Sequence, residues 1–208
     1  MLLRLKNIQP VEKMGFIEAI KKLPTNPRAF RFFPFANEIN ISKTIELIEK
    51  GEVKDTTKLN VAILIGESNI ISMLPAIELH ASIVICNDIN SNLNSHTQFM
   101  IDCLKKSKTR EEYESIYNMN NPVVNTLYSV EELKAELSAR AGYAKESYFL
   151  FSEERYLACK SAAHRLEFVW TEIDLFNIEQ CRLLASAIDA HNAVIKIINF
   201  NNLYFCWS

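Results

Sequence analysis

Four apolar runs in this sequence end on residues equipped to hold a small polar ligand. Asn60-Val61-Ala62-Ile63-Leu64-Ile65 runs into Gly66-Glu67-Ser68-Asn69, and Ser82-Ile83-Val84-Ile85-Cys86 into Asn87-Asp88-Ile89. Leu166 to Ile173 stops at Asp174, and Ala193 to Ile198 stops at Asn199, with Asn202 three residues on. Glycine lets backbone pass a ligand without a Cβ clash. A helix opening just after it presents free N–H groups and a partial positive charge. An acid about twenty residues further on, here Asp88, is placed to accept hydrogen bonds from a ribose diol. Asp174 is a candidate acceptor for an adenine amino group. Asn199 and Asn202 are candidates to hold a reacting amine, a substrate carbonyl or the amino-acid end of a ligand. Each residue also has a plain reading: Asp88 and Asp174 as turn or helix-capping acids, the asparagines as turn formers.

These residues need elements to bring them together. The run 60–65 is short, apolar and bounded by a turn residue, which fits a strand buried on both faces. Helical spacing of Ile70, Ile71, Leu74 and Ile77 predicts a helix over 70–80, with Pro75 forcing a kink or a late start. A second apolar run follows at 82–86, so the pattern is a βαβ unit with parallel strands. Residues 166–174 read as a third strand, 177–190 as a helix capped by Asn177 with Cys181, Leu184, Ala185 and Ile188 inward, and 193–198 as a fourth strand. In an open parallel sheet ligands bind outside the carboxyl ends of the strands, so the four ends are expected to share one crevice.

The remaining sections frame this unit. Residues 1–58 form an N-terminal section with helices at 11–23 and 42–50 and an aromatic run, Phe30-Arg31-Phe32-Phe33-Pro34-Phe35, between them. That run is expected to plug the core edge, to cap a ligand pocket or to stack on a base. Residues 89–165 are a polar, helical insertion. Asn90 to Ser95 and Asn118 to Pro122 read as loops and 97–106 as a helix. Thr109-x-x-Glu112, Ser129-x-x-Glu132 and Ser152-Glu153-Glu154 are expected to open further helices.

Composition narrows the class. The 208 residues carry 23 basic and 25 acidic side chains, for a net charge of −2. That balance argues against a dedicated nucleic-acid binder. No apolar run reaches the roughly 20 residues that cross a bilayer. Cys86, Cys103, Cys159, Cys181 and Cys206 are odd in number, widely spaced and free of CxxC, which fits a reducing, cytoplasmic compartment, and Cys86, Cys159 and Cys181, in apolar stretches, read as core thiols. No histidine pair has metal spacing. His80 and His191 sit at helix ends, His96 is a candidate general base beside the crevice, and Ser161 with His164 lacks the G-x-S-x-G elbow of a nucleophile. A pyrophosphate cofactor such as NAD is disfavoured, because a full G-x-G-x-x-G is absent.

Across residues 60–202 the order of strand ends resembles the first four strands of the class I, Rossmann-like S-adenosylmethionine-dependent methyltransferases. In that family the first strand ends in a glycine-rich turn, the second in a ribose-binding acid, the third in an acid near adenine and the fourth in an Asp/Asn motif. Gly66, Asp88, Asp174 and Asn199 occupy those positions here, with one glycine where the family has two or three. The resemblance implies an α/β fold with a mainly parallel Rossmann-like sheet over residues 59–208, a helical insertion at about 89–165 and the helical, aromatic N-terminal section. It implies S-adenosylmethionine as cofactor, held by Gly66, Glu67, Ser68, Asn69, Asp88, Ile89, Asp174, Asn199 and Asn202, with transfer to an unspecified small-molecule or protein substrate. The family's sheet carries three more strands; here the strands come from elsewhere, the sheet is small, or the domain is truncated. The alternative from another class is a non-catalytic Rossmann-like module that binds a protein partner.

Overall fold

Apart from Asn60, the run Leu59–Ile65 has no polar side chain, and such a strand is stable only if both its faces are covered. In the computed structural model, which describes residues 10–29, 41–65, 70–120 and 146–199, they are. The chain order is α1 (Pro10–Lys21), α2 (Ile41–Glu49), β1 (Leu59–Ile65), α3 (Ile70–His80), β2 (Ile83–Asn87), α4 (Ser91–Lys106), α5 (Arg110–Asn120), α6 (Glu153–Arg165), β3 (Glu167–Thr171), α7 (Ile178–Ala190) and β4 (Ala193–Asn199). Every residue of β1 and β2 is buried. The amide of Asn60 is satisfied by the loop before it, donating to the carbonyls of Asp55 (2.7 Å) and Lys58 (2.8 Å) and accepting from the Asp55 N–H (2.8 Å).

The four strands form one parallel sheet in the order β3-β2-β1-β4. This is α/β, Rossmann-like architecture. Right-handed crossovers explain its layers. Stepping from β1 to β2 to β3 places the intervening helices on one face. There Ala62, Leu64, Val84 and Cys86 pack with Ile41, Ile71, Leu74, Met100, Leu104 and Tyr156. Returning from β3 to β4 reverses direction and puts α7 on the other face. There Val61, Ile63, Ile83, Ile85 and Val169 pack with Phe16 and Ile20 of α1 and Leu184 and Ile188 of α7. The insertion belongs to the first layer: Tyr113, Phe149 and Tyr156 lie in the same core as α3.

Several expectations are corrected. Asn90 to Ser95 is not a loop: Asn90 caps α4 by accepting from the Asn92 N–H, and the helix starts at Ser91. α5 continues through Asn120, past the break expected at Asn118. The third strand ends at Thr171, three residues before Asp174. On α7, Ala185 faces solvent and Ala187 packs on the core instead. α3 starts at Ile70, so Pro75 does not delay it. A proline inside a helix removes one hydrogen bond and crowds the preceding turn, at a cost of about 3 kcal/mol; burying Ile70, Ile71, Leu74 and Ile77 stabilises by roughly 1.5–3 kcal/mol each. The aromatic run Phe30 to Phe35, Ser129-x-x-Glu132 and Cys206 lie outside the described residues.

Candidate functional site at the carboxyl edge of the sheet

The strand ends lie level with one another. Ile65 pairs with Asn87, Asn87 with Thr171, and Leu64 with Asn199. At about 4.8 Å per strand step, the row from β3 to β4 is about 14 Å long. The strand order reverses between β1 and β4, which is where open α/β sheets place their ligands.

Asparagine side chains organise the β2–β3 half of this edge. Asn87, buried at the tip of β2, accepts from the Ile173 N–H (2.9 Å) and donates to the Ile173 carbonyl (3.1 Å). It thereby holds the chain leaving β3. Asn94, in the first turns of α4, donates to the carbonyls of Asp88 and Thr171, both at 2.9 Å. The Asp88 N–H donates to the Thr171 carbonyl at 3.2 Å. The Asp88 carboxylate accepts the Asn90 N–H at 2.7 Å, and burial nevertheless pushes its pKa up to about 6. Desolvation outweighs the hydrogen bond here, and a single N–H does not replace the water that a carboxylate loses. The Thr171 hydroxyl is buried and meets no partner among the described residues.

A strap from the N-terminal section crosses the same edge. The Asn26 N–H donates to the Glu172 carbonyl (3.1 Å) and the Arg28 N–H to the Ile89 carbonyl (2.7 Å), while the Ser91 N–H donates to the Arg28 carbonyl (2.9 Å). Arg28 and Asn90 form a parallel bridge. Ile89 therefore contributes its carbonyl to the strap, a role that no side-chain pattern announces.

The other predicted residues stand as follows. One Asp174 carboxylate oxygen accepts the Phe176 N–H (3.0 Å), and its own N–H donates to Gln180 Oε1 (2.6 Å). It shapes the turn into α7, which Asn177 caps by accepting from the Glu179 and Gln180 N–H groups. Asn199 is buried at the tip of β4, its Nδ2 3.9 Å from Met73 Sδ of α3. Gly66, Glu67, Ser68, Asn69 and Asn202 lie outside the described residues. The structure thus sets Asp88, Ile89 and Asn199 along one edge, with Asp174 just beyond β3. Asn87 and Asn94 were missed as organisers; the signal was there in the density of asparagine between 87 and 94.

Other chemistry is absorbed by structure. His96 is fully buried in α4 with its Nε2 2.9 Å from the Tyr117 hydroxyl, and burial lowers its pKa to about 3. It is a neutral core histidine, not a base in the crevice. The Ser161 hydroxyl accepts from Arg165, and no bond joins it to His164 among the described residues. Tyr156 and Lys160, four apart on α6, converge on Ser107: the Tyr156 hydroxyl lies 2.7 Å from Ser107 Oγ, and Lys160 donates to the Ser107 carbonyl. A Tyr–Ser–Lys group is able to move protons, but Tyr156 and Ser107 are inaccessible here. They finish the C-terminus of α4, about 24 Å of helix from Asp88. Cys86, Cys103, Cys159 and Cys181 are free thiols. Burial raises Cys103 to about 11 and Cys159 to about 12, so neither is nucleophilic. Among the described residues no His, Cys, Asp and Glu group has the form of a metal site, and no helix is long and apolar enough to cross a membrane. No protein-family model matches the sequence, and no curated protein matches it.

Proposed function

We propose that this chain is a methyltransferase-like protein that binds S-adenosylmethionine across the carboxyl edge of its sheet. One observation carries the reading: a parallel sheet ordered β3-β2-β1-β4 with a half-buried acid one residue past β2. That is the place where dinucleotide and nucleoside folds seat a ribose. When bound, the cofactor supplies an electrophilic methyl group. The chain's own part is orientation and exclusion of water. In this reading Gly66, Glu67, Ser68 and Asn69, which follow β1 in sequence, are candidate ligand contacts. Asp88 accepts from the ribose hydroxyls, the main chain at Ile89 flanks them, and Asp174 lies toward the base. Asn199 and Asn202 are the candidates to hold the amino-acid end or the acceptor.

The test is titration of the protein with S-adenosylhomocysteine by calorimetry and thermal shift. A ligand at 100 times its Kd adds about 2.7 kcal/mol to stability. Ionised Asp88 is the stronger acceptor, so affinity is expected to rise from about pH 5 to about pH 7, through the raised pKa of that group. Absence of binding at millimolar ligand would remove the reading.

A second reading has its own support. Asp174 and Asn90 already spend side-chain oxygens on a turn and a cap. Their engagement favours a Rossmann-like module that binds a protein partner and no cofactor. No thermal shift with the nucleoside ligand, together with a partner whose binding is lost on changing α5 or the strap, would establish it.

A further inference from the structure

The strap at residues 24–29 is held almost wholly by main-chain bonds. Each of its residues is exposed, so little apolar burial keeps it in place. Three main-chain hydrogen bonds seat it, on the Glu172 carbonyl, the Ile89 carbonyl and the Ser91 N–H, and the Ser91 hydroxyl adds a fourth, donating to the Arg28 carbonyl at 3.3 Å. At about 1 kcal/mol net apiece, the seat has the depth of an element with two populated positions. Pro24 and Pro27 restrict the free strap, which lowers the entropy lost on reseating. They also leave Asn26 and Arg28 as the donors that the seat uses. Three of the four bonds land on Ile89 and Ser91, either side of Asn90, whose N–H is the one that the Asp88 carboxylate accepts.

We propose that this strap is a conformational device: seated, it holds the Asp88–Ser91 turn in its ligand-ready form, and released, it lets that turn open. The element is defined without any ligand; its effect on nucleoside binding rests on the reading above. By linkage, a ligand that needs the turn stabilises the seat by the same factor that the seat adds to affinity.

Amide exchange on the ligand-free protein is the first arm of the test. Arg28→Pro deletes the donor to Ile89 while leaving the side chains of Asp88, Asn90 and Asn94 in place. The Asn90 and Ser91 amides are expected to exchange roughly tenfold faster, with the β1 amides from Val61 to Leu64 unchanged. Equal rates at Asn90 and Ser91 overturn the proposal. Arg28→Ala keeps the main-chain donor and is expected to behave as the wild type; exchange as fast as in Arg28→Pro would show a side-chain effect and also overturn it. Should Arg28→Pro fail to fold, Asn26→Pro, which removes the donor to Glu172, is read in the same way. Titration with S-adenosylhomocysteine is the second arm, with a Kd roughly tenfold weaker expected in the proline variant. Faster exchange with no binding by the wild type supports the strap and removes the cofactor reading. Binding unchanged in Arg28→Pro while exchange accelerates overturns the claim that the seated form is the ligand-ready one.

Discussion

Asp88 and His96 lie eight positions apart and pull stability in opposite directions with pH. The folded-state pKa of Asp88 stands at about 6, above its ordinary 3.8. Between those values the folded chain keeps a proton that the unfolded chain has released, so stability is lost as pH rises through the window. Asp88→Asn preserves an acceptor for the Asn90 N–H and avoids the buried charge. Urea unfolding is expected to show it more stable by about 1–3 kcal/mol at pH 7, with the gain gone by about pH 4. His96 has the reverse sign, because its folded pKa is lowered from 6.5 to about 3. Its contribution is complete above about pH 6.5 and falls away on acidification. His96→Gln is expected to remove about 2 kcal/mol of the wild type's loss between pH 7 and pH 5; an unchanged acid slope would mean that His96 titrates normally. The Thr171 hydroxyl, buried and unpaired among the described residues, predicts a third residue effect. Thr171→Val should be neutral or stabilising by about 1 kcal/mol, read as a rise in melting temperature.

At the scale of elements, the joints matter more than the interiors. Asn87 bonds both main-chain groups of Ile173, so Asn87→Ala strands a buried N–H and a buried carbonyl at once. A loss of about 2–3 kcal/mol is expected, measured as a lower urea midpoint with an unchanged slope. The α7–β4 joint turns on Asn192, whose φ of 49° is left-handed. Its Nδ2 donates to the Thr57 carbonyl at 3.2 Å, and its carbonyl accepts the Leu59 N–H at 3.3 Å. Asparagine suits this position after a helix because a short polar side chain tolerates that conformation. In α1, Gly15 is exposed, and a Cβ there would meet His191 Cε1 at 3.4 Å, an ordinary contact. Gly15→Ala is therefore expected to stabilise the protein by about 0.5–1 kcal/mol, the helix-propensity difference. A drop in melting temperature would show that the His191 contact is tighter than it stands.

At the scale of the molecule, the described residues form three layers, and α1 and α2 of the N-terminal section pack into them. α1 covers β3 and packs beside α7, and α2 packs on α3. Phe16 and Ile20 are fully buried against Ile83, Ile85 and Val169. Removing residues 1–29 would uncover that face and delete the strap together. The expected outcome is an insoluble or molten product, with near-ultraviolet circular dichroism lost before far-ultraviolet. A truncated chain that unfolds cooperatively at the wild-type midpoint would show that residues 30–208 stand without α1 and the strap. On β4 a bulge marks where the sheet departs from regularity. Val61 pairs with Ile195 and Ala62 with Ile197, so Lys196 is the extra residue, reaching Glu52 at 3.3 Å.

Local chemistry made much of this readable in advance. Short apolar runs such as 61–65 demand burial on both faces, so strands, parallel pairing and the α/β class followed from the spacing of such runs. Capping residues such as Asn177 and Ser152 marked helix starts within a residue, because the N-cap bond is made between near neighbours. What spacing does not carry is contact between distant segments. Nothing around Asn87 names Ile173 as its partner, and nothing in Asn26-Pro27-Arg28 names the exits of β2 and β3. His96 read as a crevice residue because it follows Asp88 closely, whereas the helix that begins at Ser91 carries it inward to Tyr117. Periodicity reports which way a side chain faces within its own element; the layers that pack around that element decide whether it meets solvent, a core or a ligand.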